Sequence, residues 1–425
     1  MSYRIFEKGS NLLPAFSKPY PDESISSWLT RLSFDHGLRR SALLRLIGAN
    51  PKRDLSSWGI DTLFNDAQIR TLTEYTNCSA DEILQTTLRT YEGKLFDTTP
   101  IGSIPSMWLA TKAGEKRLKQ AGKGIGTLFC PSCFAKKDQP VYYRKHWRLA
   151  VSFVCIECKC YLRESCPHCK NGPSDMNNIT DLPFGKTIAE YFLECGNCQC
   201  NISDCNPIPA PEHVIAMQHQ ILELINGKGT ATYGGSVNYF KTLYKLTGIL
   251  LGKRYWSCLS RMVDHLYKIH PHVVDLKPEI YSLNVRTLPL KLQADIFSIA
   301  CWLMDEWPTR LIDMCTAFQV SSADLLPRLT DLPEWVNKMI TDRLGEFSET
   351  KWRARIRRER PPLEDHDVIQ IQSNRESDYD IDIDEHYYLN QEVECAFKHL
   401  DRPLDNTICT ADIIFHQLRK AEGWA

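Results

Sequence analysis

Four pairs of cysteines, each pair separated by two residues, offer the clearest chemistry in the sequence. Each Cys-x2-Cys pair can present two thiolates to one metal ion, and two pairs close a tetrahedral zinc site that has no open position. Taken in chain order, the pairs predict two structural zinc ions per chain. The eight predicted ligands are Cys130, Cys133, Cys155 and Cys158 for one ion, and Cys166, Cys169, Cys195 and Cys198 for the other.

The spacing leaves part of this assignment open. A cross-braced arrangement would use the same eight cysteines, and Cys200 or His168 could replace a ligand of the second ion. Iron–sulfur clusters also use cysteines, but the long segments between these pairs resemble zinc ribbons more than the compact runs of ferredoxins. A redox-active dithiol would not need to occur four times. Cys160 and Cys205 have no assigned role.

No enzyme signature accompanies the cysteines. The sequence has no His-Glu-x-x-His motif, no phosphate-binding Gly-x4-Gly-Lys-Ser/Thr loop and no Gly-x-Ser-x-Gly nucleophile elbow. It also lacks the His-x-Glu motif that zinc deaminases place ahead of Pro-Cys-x-x-Cys. We therefore expect no catalytic residue. A metal-assisted nuclease or hydrolase is kept as an alternative function.

The composition is typical of a folded protein of the cytoplasm. The 425 residues include 51 basic and 52 acidic side chains, and 43% are hydrophobic, enough to form cores. The longest largely apolar run, from Ile296 to Met304, is far shorter than the roughly 20 residues of a membrane span. The first residues lack the apolar core of a secretion signal. We therefore predict a cytoplasmic protein that has no membrane partner.

Helices are the elements that must position the ligands, because apolar residues recur at helical spacing through most of the chain. Helices over 67–76 and 81–90, with a Ser79–Glu82 capping box between them, outline a helix-turn-helix. Residues 323–330 are the second helix of another candidate. The predicted fold is mainly α. Its expected parts are a helical N-terminal domain (1–104), a basic linker with a two-zinc block (105–206), a helical domain (207–345), a charged linker (346–386) and a C-terminal helical unit (387–425).

Positive charge collects around the first cysteine pairs. From Lys112 to Lys170 the chain has 13 Lys or Arg residues against four Asp or Glu residues, with aromatic residues interleaved. Such a composition suits a phosphate backbone, although a solvated or protein-binding face would have the same composition. The predicted nucleic-acid contacts are Arg144, Lys145 and Arg148 in this region, and Arg353, Arg355, Arg357 and Arg358 in a later basic run.

Two stretches of the sequence resemble a known family. The first is Pro19-Tyr20-Pro21-Asp22-Glu23-Ser24, which leads into Ser27-Trp28-Leu29-Thr30-Arg31-Leu32. The second comprises Cys130-Pro-Ser-Cys133, Tyr142-Tyr-Arg-Lys-His-Trp-Arg-Leu149 and the next two cysteine pairs. Together they are similar to TniQ/TnsD proteins, which select target sites for transposons, including CRISPR-associated transposons. The family commonly has His and Gly where this chain has Cys158 and Lys159.

The resemblance implies a role without catalysis. Such a protein recognises a target site, or an RNA-guided complex bound there, and recruits the transposition AAA-type ATPase. Members that work with Cascade and its guide RNA are head-to-tail homodimers docked at one end of that complex, whereas others bind target DNA directly. The chain length and the weakly basic second helices favour the adaptor. The alternative is a zinc-containing, sequence-specific DNA-binding protein, either an attachment-site reader or a transcription regulator.

Overall fold

A computed structural model describes most of the first 345 residues. The described residues are 13, 17–48, 60–61, 64–97, 106–110, 127–170, 186–228, 235–252, 258–270, 285–329, 332 and 334–345. Helix predominates among them, so the predicted mainly α class is confirmed. None of the helices in these ranges is long and apolar enough to cross a membrane. The predicted linker 346–386, the unit 387–425 and the basic run Arg353, Arg355, Arg357 and Arg358 lie outside the described residues.

The N-terminal helices enclose a hydrophobic core of their own. They are α1 (Ile25–Asp35), α2 (Arg40–Leu46), α3 (Asp66–Thr76) and α4 (Ala80–Leu84). Helix α1 begins after Ser24, whose hydroxyl accepts a hydrogen bond from the Ser27 N–H at 3.2 Å. Such a bond satisfies one of the free amides of the first turn. Trp28 and Leu29 then lie fully inside this core.

The helix-turn-helix outline is only partly realised. Helix α3 covers the predicted span, and the capping box is confirmed, because Ser79 N–H donates to Glu82 Oε2 at 2.8 Å and Glu82 N–H donates to Ser79 Oγ at 3.1 Å. Helix α4, however, ends at Leu84 rather than near residue 90. The hydroxyls of Thr86 and Thr87 donate to carbonyls of its last turn, at 2.7 and 2.8 Å. Such side-chain bonds compete with helix continuation.

The cysteine-rich block and the following helices share a second core. The block contains α5 (Pro131–Phe134), β1 (Val154–Cys155), β2 (Cys160–Tyr161) and α6 (Ile188–Leu193). The later helices are α7 (Glu212–Ile225), α8 (Ser236–Leu251), α9 (Cys258–Ile269), α10 (Leu290–Met304), α11 (Thr309–Ala317), α12 (Ser322–Leu325) and α13 (Glu334–Leu344). Strands β1 and β2 pair antiparallel. The buried α10 packs against α7 and α8 and joins the block through Phe297, whose ring centroid lies 5.1 Å from that of Phe153. Among the described residues of the second helix predicted over 323–330, the structure has the short α12 and a 3-10 turn at Leu326–Arg328 in place of one continuous helix.

Gln218 of α7 is fully buried, and its side-chain amide forms hydrogen bonds with the backbone that leads into β1. Its Oε1 accepts from the Phe153 N–H at 2.6 Å, and its Nε2 donates to the Val151 carbonyl at 3.1 Å. We expect Gln218→Leu to lower the free energy of unfolding by about 2–4 kcal/mol, because a backbone N–H and a carbonyl lose their partner in the interior. Urea unfolding measures the change. Gln220→Leu, at an exposed position of the same helix, should change stability by less than about 0.5 kcal/mol, and equal losses would contradict the assignment.

Asp295 of α10 is a buried acid, only 3% exposed. Burial raises the pKa of its carboxyl from 3.8 to about 6, against the opposing charge of Lys291. Because the folded-state pKa is the higher one, the cost of ionising Asp295 is absent below about pH 4, grows as the pH rises and is complete above about pH 6. We therefore expect Asp295→Asn to raise the free energy of unfolding by about 1–3 kcal/mol at pH 8 and by much less at pH 4.5. Urea unfolding at both pH values tests this, and an equal gain at both would contradict it.

Candidate metal centres

The first four cysteines meet where a short helix faces a β hairpin. Cys130 caps α5, and its Sγ accepts from the Cys133 N–H at 3.3 Å. Cys155 and Cys158 lie in the hairpin formed by β1 and β2. The Cys133 Sγ lies 3.6 Å from the Cys155 Sγ and 3.4 Å from the Cys158 Sγ. All four sulfurs lie within 4.8 Å of one another.

The second four cysteines meet beside α6. The Cys166 Sγ lies 3.6 Å from the Cys198 Sγ, and the Cys169 Sγ lies 3.6 Å from the Cys195 Sγ. These four sulfurs are also within 4.8 Å of one another. A capping box between Thr187 and Glu190 starts α6, which leads directly into the last cysteine pair. The grouping is the one that sequential pairing predicts, and neither His168 nor Cys200 belongs to it.

Both groups fit zinc. A Zn–S bond of about 2.3 Å in a tetrahedral site places the ligand sulfurs about 3.8 Å apart, close to the 3.4–3.6 Å observed here. The first cysteine of each pair is buried and the second is partly exposed. Each group could therefore hold one ion, with all four positions taken by thiolates.

The thiols within each centre differ in acidity. Hydrogen bonds from Cys130 and Cys133 lower the pKa of the Cys155 thiol, whereas hydrogen bonding to Cys133, Cys155 and Cys160 raises the pKa of Cys130. In the second centre, burial raises the pKa of Cys195, while a backbone N–H bond at Cys200 lowers that of Cys198. Metal binding would release the remaining thiol protons, since only thiolates bind the ion.

A left-handed residue follows three of the four cysteine pairs. Lys159, Lys170 and Gln199 have φ values of +52°, +59° and +59°. This backbone turns the chain so that the Lys170 N–H donates to the Cys166 carbonyl at 3.0 Å, and the Gln199 N–H reaches the Cys195 carbonyl at 2.8 Å. Glycine adopts this conformation at the least cost, so Lys159, Lys170 and Gln199 each hold a backbone that favours glycine.

The N-terminal stretch packs against the segment between the first two cysteine pairs. Glu23 is fully buried and accepts from Arg31 Nε at 2.9 Å, from Arg31 Nη2 at 2.7 Å and from Ser27 Oγ at 2.8 Å. The backbone of Tyr143 closes the contact. Its carbonyl accepts from the Ser24 N–H at 2.9 Å, and its N–H donates to Ser27 Oγ at 3.2 Å. The two stretches that carry the family resemblance are therefore one connected structure.

Asp22 adds a polar contact between the same two stretches. Its Oδ2 lies 2.5 Å from His146 Nδ1, and its carbonyl accepts from the Lys145 N–H at 2.8 Å. Burial opposes ionisation of this carboxyl, but the hydrogen bond and charge of His146, with the charges of Lys145 and Arg144, hold its pKa below the ordinary value. Asp22 takes a left-handed backbone, with φ at +62°, to make these contacts.

The structure places two of the predicted nucleic-acid residues inside the protein. Lys145 is 5% exposed, and its Nζ donates to the Gln85 carbonyl at 2.7 Å. Arg148 is 5% exposed, and its Nε lies 3.0 Å from Asp61 Oδ2. Their positive charges have internal partners, so the structure does not support phosphate contacts by either residue. This corrects the sequence interpretation, which could not separate exposed from buried positive charge.

Arg144, the third residue of this set, keeps an 18% exposed side chain, and its Nη2 lies 2.8 Å from Glu157 Oε1. Its contact with nucleic acid stays a prediction. Sequence reasoning assigned no role to Cys160, whose Sγ lies 3.6 Å from that of Cys130. The signal for it was the pattern Cys-x2-Cys-x-Cys, which occurs at 155–160 and again at 195–200.

Comparison with known proteins finds a match for the first part of the chain. Residues 14–162 match the model of the TniQ family. The chain thus carries a TniQ domain, and the predicted resemblance is confirmed. The matched residues include both of the packed stretches and the first metal centre, whereas the second centre lies beyond their end. No curated protein matches the sequence.

Proposed function

We propose, from the TniQ domain at residues 14–162, that the protein is a non-enzymatic adaptor that selects target sites for DNA transposition. It binds a target-site complex, either RNA-guided Cascade or target DNA, as a homodimer and recruits the transposition AAA-type ATPase and the transposase. The observation that carries the proposal is the packing of the N-terminal stretch on the segment beside the first metal centre, through Glu23, Ser27 and Tyr143. This packing joins both parts of the TniQ domain into one scaffold that can present protein surfaces.

The chemistry of the metal centres supports a role without catalysis. Four thiolates complete a tetrahedral zinc site and leave no position for water or substrate. Several of the ionisable groups that line the crevice beside the first centre pair with one another. Arg144 pairs with Glu157 at 2.8 Å, and His219 lies 3.5 Å from Glu223.

The described surface favours an adaptor over a direct reader of DNA. A reader needs exposed Arg, Asn or Gln side chains on a rigid helix, but α4 has five residues and carries Asp81 and Glu82 in its first turn. Lys145 and Arg148, moreover, have internal partners. An adaptor leaves sequence reading to guide pairing and needs protein surfaces instead.

Two measurements on the full chain test the proposal. In gel shifts against random and attachment-site duplexes at rising salt, we expect weak binding without sequence preference that salt abolishes. Sequence-selective binding by the protein alone would instead support the attachment-site reader or transcription regulator. The tagged protein, co-expressed with the candidate ATPase and with Cascade, should retain the ATPase through purification. Failure to retain the ATPase, or metal-dependent cleavage of the DNA, would contradict the adaptor.

A further inference from the structure

Two of the cysteine pairs are followed by a fifth cysteine in the same local geometry. Cys160 stands two residues after Cys158, just as Cys200 stands two residues after Cys198. In each case the intervening residue is left-handed, at φ +52° and +59°. The chain then doubles back, so that the fifth cysteine lies opposite the first cysteine of its own pair in the hairpin. The structure thus brings an additional thiol to each hairpin.

In the first centre the position of this thiol is well defined. Cys160 is 2% exposed, and its Sγ lies 3.6 Å from the Cys130 Sγ. The same distance separates Cys133 Sγ from Cys155 Sγ, both of which belong to the four-cysteine group. Cys160 therefore lies beside Cys130, just outside the four sulfurs that are all within 4.8 Å of one another, and it also contacts Ser132 Oγ at 3.7 Å.

We propose that Cys160 is a reserve ligand of the first zinc ion, which takes the place of Cys130 when that thiolate detaches or is missing. The exchange breaks the Zn–S bond to Cys130 and forms one to Cys160. The Cys160 thiol proton passes to the leaving Cys130 thiolate or to water, and no electron is transferred. Once bonded to Cys160 the ion would again have four sulfur ligands, so a competing chelator finds an open position less often. This inference depends on zinc at the first centre and is independent of the proposed role in transposition.

The metal content of variants tests the exchange. Purified Cys130→Ala should retain about two zinc ions per chain by elemental analysis, because Cys160 completes the site. Cys158→Ala, the matched control at a ligand without this neighbour, should retain about one, as should the double variant Cys130→Ala/Cys160→Ala. A Cys130→Ala protein with about one ion, equal to Cys158→Ala, would overturn the proposal.

A second measurement needs no ligand variant and so does not depend on whether Cys130→Ala folds. Zinc release to a chromophoric chelator is followed for the wild type, for Cys160→Ser and for Cys315→Ser, which alters a buried cysteine outside both centres. Cys160→Ser should release one of its two ions several-fold faster than the wild type, while Cys315→Ser should match the wild type. Equal release by Cys160→Ser and the wild type would overturn the proposal. If the wild type itself held a single zinc ion, one of the two centres would not bind zinc, and the premise of the proposal would be wrong.

Discussion

Replacing Glu23 by glutamine should lower the free energy of unfolding by about 3–5 kcal/mol. The Glu23 carboxylate is fully buried and takes two hydrogen bonds from the guanidinium of Arg31, whose side chain is 7% exposed. Without the carboxylate charge, the guanidinium stays in the interior with no compensating anion. Glu23 also accepts from the Tyr20 N–H at 2.9 Å, so its loss weakens the segment that leads into α1. Chemical denaturation of the full chain measures the change.

Glu223→Gln is the matched control, since the Glu223 side chain is 50% exposed beside His219. It should change stability by less than about 0.5 kcal/mol. A double-mutant cycle separates the ion pair from general damage. Glu23→Gln and Arg31→Gln together should cost less than the sum of the two single changes, by more than about 1 kcal/mol. Strict additivity, or a Glu23→Gln protein as stable as the control, would show that the pair does not hold this segment.

Removing the third cysteine pair should abolish zinc binding at the second centre. We expect Cys166→Ala/Cys169→Ala to reduce the zinc content from two ions to one, because the remaining thiols cannot complete a tetrahedral site. Structural zinc contributes about 10–16 kcal/mol of binding free energy in small domains, so the surroundings of the second centre should unfold locally. Cys195 and Cys198 should then react with an alkylating reagent, as detected by mass spectrometry.

The control is a double variant that removes two buried cysteines outside both centres, Cys258→Ala/Cys315→Ala. It should retain two ions and protect Cys195 and Cys198 from alkylation. The first centre should keep its ion in both variants, since it draws no ligand from the third pair. If Cys166→Ala/Cys169→Ala retained two ions, or lost both, the division into two separate centres would be wrong.

The metal-ligating cysteines could be predicted because the relevant geometry is local. Two residues between cysteines suffice for a turn that points both thiols at one ion, and no distant contact is needed to recognise it. The helical class and the Ser79–Glu82 capping box were accessible for the same reason, since apolar periodicity and side-chain capping act within a few residues. The resemblance to TniQ/TnsD proteins marked Lys159 as a departure from glycine, although its left-handed backbone became clear only in the structure.

What the sequence could not supply depends on contacts between distant residues. Lys145 and Arg148 read as a basic patch, but Gln85 and Asp61, more than 50 positions earlier, bind them inside the protein. Gln218 looks like an ordinary polar residue of a helix until the hairpin edge that it covers is known. The predicted length of α4 was wrong, because threonine hydroxyls, rather than a glycine or proline, end the helix.

Zinc K-edge X-ray absorption on the quantified full-length protein tests the central claim most directly. The account predicts two zinc ions per chain, each surrounded by four sulfur atoms at about 2.3 Å, with no nitrogen or oxygen in the coordination shell. Fewer than two ions, iron in place of zinc, or a shell that contains water or imidazole would contradict it.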